Sequence, residues 1–278
     1  MIHHIECLKN RAILELRFNV LEPISIAMYN EGNIRKIVGY TRDGKFTPFI
    51  PSESIKGVLR SIARKIFINM ENGFDCNKDS KGIKHNINTN LNIDDYLKAI
   101  YSEDQLRELD EDAKKDIYLA LNKCYVCRLF GSNMVTGKLI ITDMIINGDV
   151  YNYTSTAINR RKRIAKEDNL FTVEYVVPDN LMLTIIADNI EKDKEGRLLA
   201  AILDYMIKLG IEIGGLKSRG HGLIKLDDEN SSVKIVEFKE IKDRSKDDDI
   251  IYNINALALK KDYFRNISIK EYIDELRI

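Results

Sequence analysis

The sequence of 278 residues has no tryptophan, four cysteines, no net charge and no long apolar run. The last absence leaves no candidate for a membrane-spanning helix, which needs about 20 consecutive apolar residues. Residues 1 to 10 carry His3, His4, Glu6 and Lys9, so no uninterrupted apolar core of a secretory signal stands there. A soluble, cytoplasmic protein is the expectation. So few cysteines in so long a chain do not make a disulfide framework, and two of them stand as Cys124-Tyr-Val-Cys127, a spacing that suits a metal site or a redox pair in a reducing compartment. Lys plus Arg and Asp plus Glu number 43 each, so overall charge neither advertises nor excludes a polyanionic partner. The placement of the charges has to decide. Internal repeats and low-complexity tracts are also missing. What is present is 44% hydrophobic residues, enough for a substantial core.

Residues 12 to 20 alternate apolar and polar as a half-buried strand does, with Ile13 or Leu14, then Leu16, Phe18 and Val20, on the core face. Residues 22 to 47 are rich in glycine, asparagine and charge and read as a long loop with one short extended stretch at 37 to 40. Past Pro51 a helix starts near Ser52 or Ser54, whose hydroxyl would cap its first turn, and Ile55, Leu59, Ile62 and Ile66 form its buried stripe. Residues 69 to 92 form an irregular polar insertion, and 94 to 121 a polar helical stretch outside the core. Residues 138 to 146 read as one strand. Phe171, Val173, Tyr175 and Val177 alternate, Pro178-Asp179-Asn180 turns, and Leu181, Leu183 and Ile185 alternate again, which predicts a hairpin. A second amphipathic helix runs through Leu198, Ile202 and Met206 to Gly210, followed by a glycine-rich loop and a strand at 223 to 226. Residues 242 to 249 are a charged surface segment, and 267 to 278 close the chain as a helix. Strand, helix, strands, helix, strand predicts an α+β, ferredoxin-like (RRM-like) unit with insertions.

Four segments carry chemistry. In Phe49-Ile-Pro-Ser-Glu-Ser-Ile-Lys-Gly-Val-Leu-Arg60, Lys56, Arg60 and Arg64 fall at i, i+4 and i+8, so three cations share one face near a helix N-terminus. Ser54 precedes them, and Gly57 removes a side chain where another backbone could approach. Taken alone, this is also what a solvated basic face looks like. The second segment, 213 to 222, has four glycines in ten residues, but His221 and Gly222 replace the Lys and Ser or Thr of a P-loop. What remains is a loop carrying Lys217, Ser218, Arg219 and His221 with exposed amides around Gly215 and Gly220, suited to a ribose-phosphate backbone. The third runs from Asn159 through Arg160, Arg161, Lys162 and Arg163, with Lys166 beyond, five cations in seven positions. Three basic segments, each at the edge of a regular element, predict a shared nucleic-acid groove. The fourth is Cys76, His85, Cys124 and Cys127, a donor set for tetrahedral zinc in an insertion too polar to pack by itself. Its alternative is a buried cysteine pair plus two unrelated loop residues.

Together these segments resemble the RAMP superfamily of CRISPR-associated proteins, most closely the repeated backbone subunit of type III effector complexes. Pro48-Phe-Ile-Pro-Ser-Glu-Ser-Ile-Lys-Gly-Val-Leu-Arg60 resembles the family's proline, serine and lysine-glycine helix start, and Cys124-Tyr-Val-Cys-Arg-Leu-Phe-Gly131 its cysteine stretch. Ala157-Ile-Asn-Arg160 resembles the lead into its thumb hairpin, and Gly214-Gly-Leu-Lys-Ser-Arg-Gly-His-Gly222 its glycine-rich loop. The order agrees throughout residues 12 to 226.

The resemblance implies a single RAMP-type domain over residues 1 to 278, with a ferredoxin-like palm. An inserted lid with structural zinc would occupy 69 to 131, and a thumb β-hairpin region 148 to 188. It implies antiviral defence, with copies stacked along a CRISPR RNA, in contact with target RNA and other effector subunits, and with no membrane. In many relatives an aspartate in the loop before the proline motif cuts target RNA. Here no aspartate stands between Glu22 and Arg42, and Asp43 matches a non-catalytic family position. Glu31 is the acidic residue inside that loop and the candidate catalytic carboxylate, with magnesium or manganese as the metal such cleavage would use. One rival is a RAMP endoribonuclease that processes CRISPR transcripts, with His221 or His3 and His4 as general base and Lys217 or Arg219 steadying the phosphate. Such enzymes generally have two ferredoxin-like units and no cysteine insertion. A second rival is a zinc-stabilised scaffold whose basic segments bind acidic partners.

Overall fold

The alternation of β1 (Asn10–Val20) sends Ala12, Leu14, Leu16 and Phe18 to one buried face and Arg17 and Asn19 to the other. The computed structural model describes residues 8–31, 34–42, 44–70, 73, 75–79, 82–86, 97, 101–132, 135–159, 164–238 and 264–277. Residues 22 to 47, expected as a loop, hold β2 (Ala27–Glu31), β3 (Ile34–Ile37), β4 (Gly39–Arg42) and the first half of β5 (Lys45–Ile50). Strands this short show little alternation, and β3 finds one of its partners more than a hundred residues away.

The helix α1 (Ser52–Ile68) starts where the sequence placed it, but no serine hydroxyl caps it. Asp143 does this instead, its Oδ1 accepting the Ser52 N–H at 2.7 Å. The insertion carries a hairpin, β6 (Asp75–Asp79) and β7 (Gly82–Asn86), then α2 (Glu103–Arg107), α3 (Glu111–Asn122) and α4 (Tyr125–Phe130). It is less remote from the core than its polarity suggested, because Ile117, Leu119 and Ala120 of α3 are buried. Residues 138 to 146 divide into β8 (Leu139–Ile141) and β9 (Met144–Ile145), which join different sheets. Then follow β10 (Val150–Asn159), β11 (Ile164–Val176), β12 (Asn180–Asp188), α5 (Lys194–Lys208), β13 (Ile211–Glu212), a 3-10 turn at Lys217–Arg219, β14 (Leu223–Glu237), β15 (Arg265–Ser268) and α6 (Ile269–Arg277).

The main sheet has the order β13-β14-β1-β12-β8, with β15 also on β14, and every neighbouring pair is antiparallel. Its buried face, built from Leu14, Leu16 and Phe18 of β1, Leu183 and Ile185 of β12 and Leu226 and Val233 of β14, shares one core with Ile55, Leu59 and Phe67 of α1 and Leu199, Leu203 and Met206 of α5. The second sheet has the order β10-β11-β3-β2, with β3 parallel to β11, and the third runs β4-β5-β9. The architecture is therefore α+β with sheets that are antiparallel except for the β3–β11 pair. One expected pairing is wrong. The arms at 171 to 177 and 181 to 185 are both strands, yet β11 pairs with β10 and β12 pairs with β1. Alternation reveals which face of a strand is buried and says nothing about its partner, so the turn between them is a crossing from one sheet to another.

Leu16 and Met182 test this assignment of faces, since they lie on adjacent strands but point to opposite sides, fully buried and 55% exposed respectively. Leu16→Ala should cost about 2–5 kcal/mol in urea unfolding, and Met182→Ala less than about 1 kcal/mol. Equal losses would contradict it.

Candidate nucleic-acid groove and cysteine centre

With its buried stripe against the sheet, α1 has two flanks left, and they meet different surroundings. Ser54, Gly57, Ser61 and Lys65 are exposed and line one side of a groove of about 760 Å³. The far side comes from Tyr205 at the end of α5, Glu212 of β13 and Gly214, Gly215 and Lys217 of the glycine-rich loop, while Arg35 of β3 adds a cation. The structure thus brings together two segments, the start of α1 and the glycine loop, that lie over 150 residues apart.

Two glycines in this groove have no internal reason to be glycine. A Cβ on Gly57 would meet nothing within 4 Å, and one on Gly215 would stand 3.7 Å from the Ser25 carbonyl, an ordinary contact. By contrast Gly214, at φ 85°, would clash with that carbonyl at 2.4 Å, so the fold itself demands it. Gly57 and Gly215 leave space that the protein does not fill. The expected free amides are otherwise employed, since the Gly215 N–H donates to the Ser25 carbonyl at 2.7 Å and the Gly220 N–H to that of Lys217 at 3.2 Å. The loop therefore offers side chains. Leu216 holds a left-handed backbone at φ 59°, a conformation that costs a non-glycine residue about 1–3 kcal/mol. It sets up the turn on which Lys217, Ser218 and Arg219 stand exposed.

The other flank of α1 carries the three cations singled out from the sequence, and it faces the insertion. Arg64 forks onto Asp75 of β6, at 2.6 Å and 3.3 Å. Arg60 donates from Nη1 to the Gly131 carbonyl at 2.5 Å, and from Nη2 to Sγ of Cys127 at 3.2 Å and of Cys76 at 3.5 Å. Lys56 is half-buried, and burial together with the Arg60 charge lowers its pKa from the usual lysine range.

Cys76, Cys124 and Cys127 are buried, and their sulfurs all lie within 4.8 Å of one another. Cys76 comes from β6, Cys124 caps α4 by accepting the Cys127 N–H, and Cys127 sits in the first turn of that helix. The Cys76 and Cys127 sulfurs are 3.4 Å apart. A tetrahedral ion with bonds of about 2.3 Å to sulfur would hold its ligands about 3.8 Å apart, so the three thiols fit one metal ion with little adjustment. Burial pushes the free Cys124 thiol far above its usual range, and bound metal would reverse that by taking the thiolate. His85 is the register partner of Cys76 in the β6–β7 hairpin. Its side chain lies outside the described residues.

The remaining candidates are dispersed. Glu31 ends β2 with its side chain 69% exposed, 3.6 Å from Lys36 Nζ, and does not line the groove. His221 and Tyr175 meet edge to face, with centroids 6.1 Å apart, and the His221 Nδ1 is buried without a hydrogen-bond partner among the described residues. Asn159 is the last residue of β10, whereas Arg160, Arg161, Arg163, His3 and His4 lie outside the described residues. Sequence reasoning missed Arg35, Lys65, Tyr205 and Glu212. For Lys65 a signal existed, because 54, 57, 61 and 65 follow helical spacing as regularly as the three cations do.

The family model of the RAMP superfamily matches residues 27–225, from β2 into β14, and this span contains both the groove and the three cysteines. The chain belongs to the RAMP superfamily. No curated protein matches it significantly. This RAMP protein accordingly has a CRISPR-associated role in RNA binding, in a family whose members generally bind CRISPR RNA and act in multi-subunit complexes. Among its described residues no helix is long and apolar enough to cross a membrane.

Elemental analysis checks the cysteine centre. The purified RAMP protein should carry one metal ion per chain, and Cys127→Ser should lose it. A wild-type protein that takes up no divalent metal would contradict the site.

Proposed function

We propose that this RAMP protein is a CRISPR RNA-binding backbone subunit of a type III effector complex in antiviral defence, stacking along the guide RNA with further copies of itself and engaging complementary target RNA. The palm would be the main sheet. β1, β8, β12 and β14 follow one another in the chain with α1 before β8 and α5 after β12, but lie in the sheet as β14-β1-β12-β8, the interleaving of a split βαβ, ferredoxin-like unit. The lid at 69 to 131 would carry structural zinc on Cys76, Cys124 and Cys127 with His85 as the fourth ligand. Zinc bound there supplies folding energy to a segment with a small core of its own. The long pair β10 and β11, joined through Arg160, Arg161 and Arg163, would form the thumb.

The observation that carries the reading is the vacant pair of glycines in a groove that also presents Arg35, Lys65 and Lys217. Arg35, Lys65 and Lys217 outnumber the carboxylates of Glu53 and Glu212 in the lining and attract phosphates, the hydroxyls of Ser54 and Ser61 add short hydrogen bonds, and the missing side chains let a sugar-phosphate backbone come close. Base identity is left to pairing between guide and target. The same geometry favours a binding subunit over a processing nuclease, since His221 is packed beside Tyr175 and does not line the groove. Glu31, with a magnesium or manganese ion, stands for the alternative in which the subunit also cuts target RNA.

Gly57→Leu separates folding from binding. Gly57 is an exposed position inside a helix, so leucine should stabilise the fold by about 0.5–1 kcal/mol and raise the melting temperature. In the same variant RNA affinity should fall at least tenfold. Lys217→Ala should weaken RNA of any sequence alike and reduce the salt slope of binding by about 1. A Gly57→Leu variant that is more stable and binds RNA as tightly as before would remove the groove from the proposal.

A further inference from the structure

Helical spacing puts Arg60 on a basic face with Lys56 and Arg64, and on sequence alone it reads as a phosphate ligand. We infer that Arg60 is instead a fixed part of the cysteine centre, the cation that balances its thiolates and holds two of them in place, with no share in gripping RNA. The inference rests on the reading of the three thiols as a metal site.

Its first support is geometry. Two sulfurs accept from the same guanidinium nitrogen, at 3.2 Å and 3.5 Å, while the other terminal nitrogen is anchored on the Gly131 carbonyl at 2.5 Å. Those three acceptors belong to β6, to α4 and to the residue that ends α4. Arg60 thus ties α1 to both halves of the cysteine set. A planar fork can serve these acceptors together, whereas an ammonium is a point charge on a flexible stem.

The second support is charge. Three thiolates around a divalent ion leave one net negative charge in a place where all three cysteines are buried, and an isolated buried charge is strongly disfavoured. One guanidinium cancels it. The centre is then neutral when its fourth ligand is neutral, so the balance calls for an imidazole such as that of His85, and not for a carboxylate or a fourth thiolate. A third line comes from the groove, whose lining includes Ser54, Gly57, Ser61 and Lys65 of α1 but not Arg60.

Zinc competition against a chromogenic chelator, run beside RNA titrations at several salt concentrations on zinc-saturated protein, tests this. Arg60→Met keeps the aliphatic stem and should weaken zinc 10–100-fold, the range for residues that support metal ligands. Arg60→Lys keeps the charge without the fork and should fall between Arg60→Met and wild type, which also covers the case in which Arg60→Met does not fold. Both should bind RNA with the wild-type affinity and salt slope once zinc is saturating, with Lys217→Ala as the control that lowers the slope. Unchanged zinc affinity in either variant, or a salt slope reduced by about 1 in zinc-saturated Arg60→Met, would overturn the inference and return Arg60 to the RNA. A wild-type protein that binds no zinc would instead bring down the metal reading itself, and the inference with it.

Discussion

The packing of Ile55, Leu59, Ala63 and Phe67 against the main sheet fixes the rotation of α1 about its own axis. Each of these side chains is worth up to about 1.5–3 kcal/mol of burial, the alanine less, so the helix cannot roll to suit a ligand. Everything else it presents follows from that choice. Residues three and four apart along the two remaining flanks are committed, one set to the groove and the other to the cysteines. A single helix thereby spaces the groove from the cysteine cluster, and neither can shift without the other.

The insertion is held from two sides of its short cysteine helix. On one side Arg60 reaches the sulfurs. On the other Arg128, next after Cys127, meets Glu195 at 2.8 Å at the start of α5, where Lys138 also approaches at 3.3 Å. Glu195 is almost wholly buried, and burial raises its pKa even against the pull of Lys138 and Arg128. Such a group is costly to leave alone, which makes the two cations a condition for docking α4 against α5. A metal held by the three cysteines would add order to a region already oriented by ionic contacts.

The sequence disclosed what is periodic and local. β1, α1 and α5 repeat their apolar residues over enough positions to declare their type and buried face. β2 to β5 did not, because strands of four to six residues show little alternation, and two of them, β3 and β5, also pair with strands elsewhere in the chain. Partner choice was equally hidden, as the separation of β11 from β12 shows. At the site, Cys124 and Cys127 were legible from spacing and Cys76 from its unusual surroundings. The sulfur contacts of Arg60 were hidden for a physical reason: spacing tells which side chains share a flank, and only tertiary structure tells what that flank meets. Arg35 lies far along the chain from Tyr205 and Glu212, so no local pattern could have joined it to them.

The most direct test of the account is to purify the protein with whatever nucleic acid accompanies it, size that RNA and count protein copies upon it. A discrete guide RNA bearing several copies at regular spacing is the result the account predicts. A protein that comes away as an RNA-free monomer, and does not assemble on added CRISPR RNA, would contradict it.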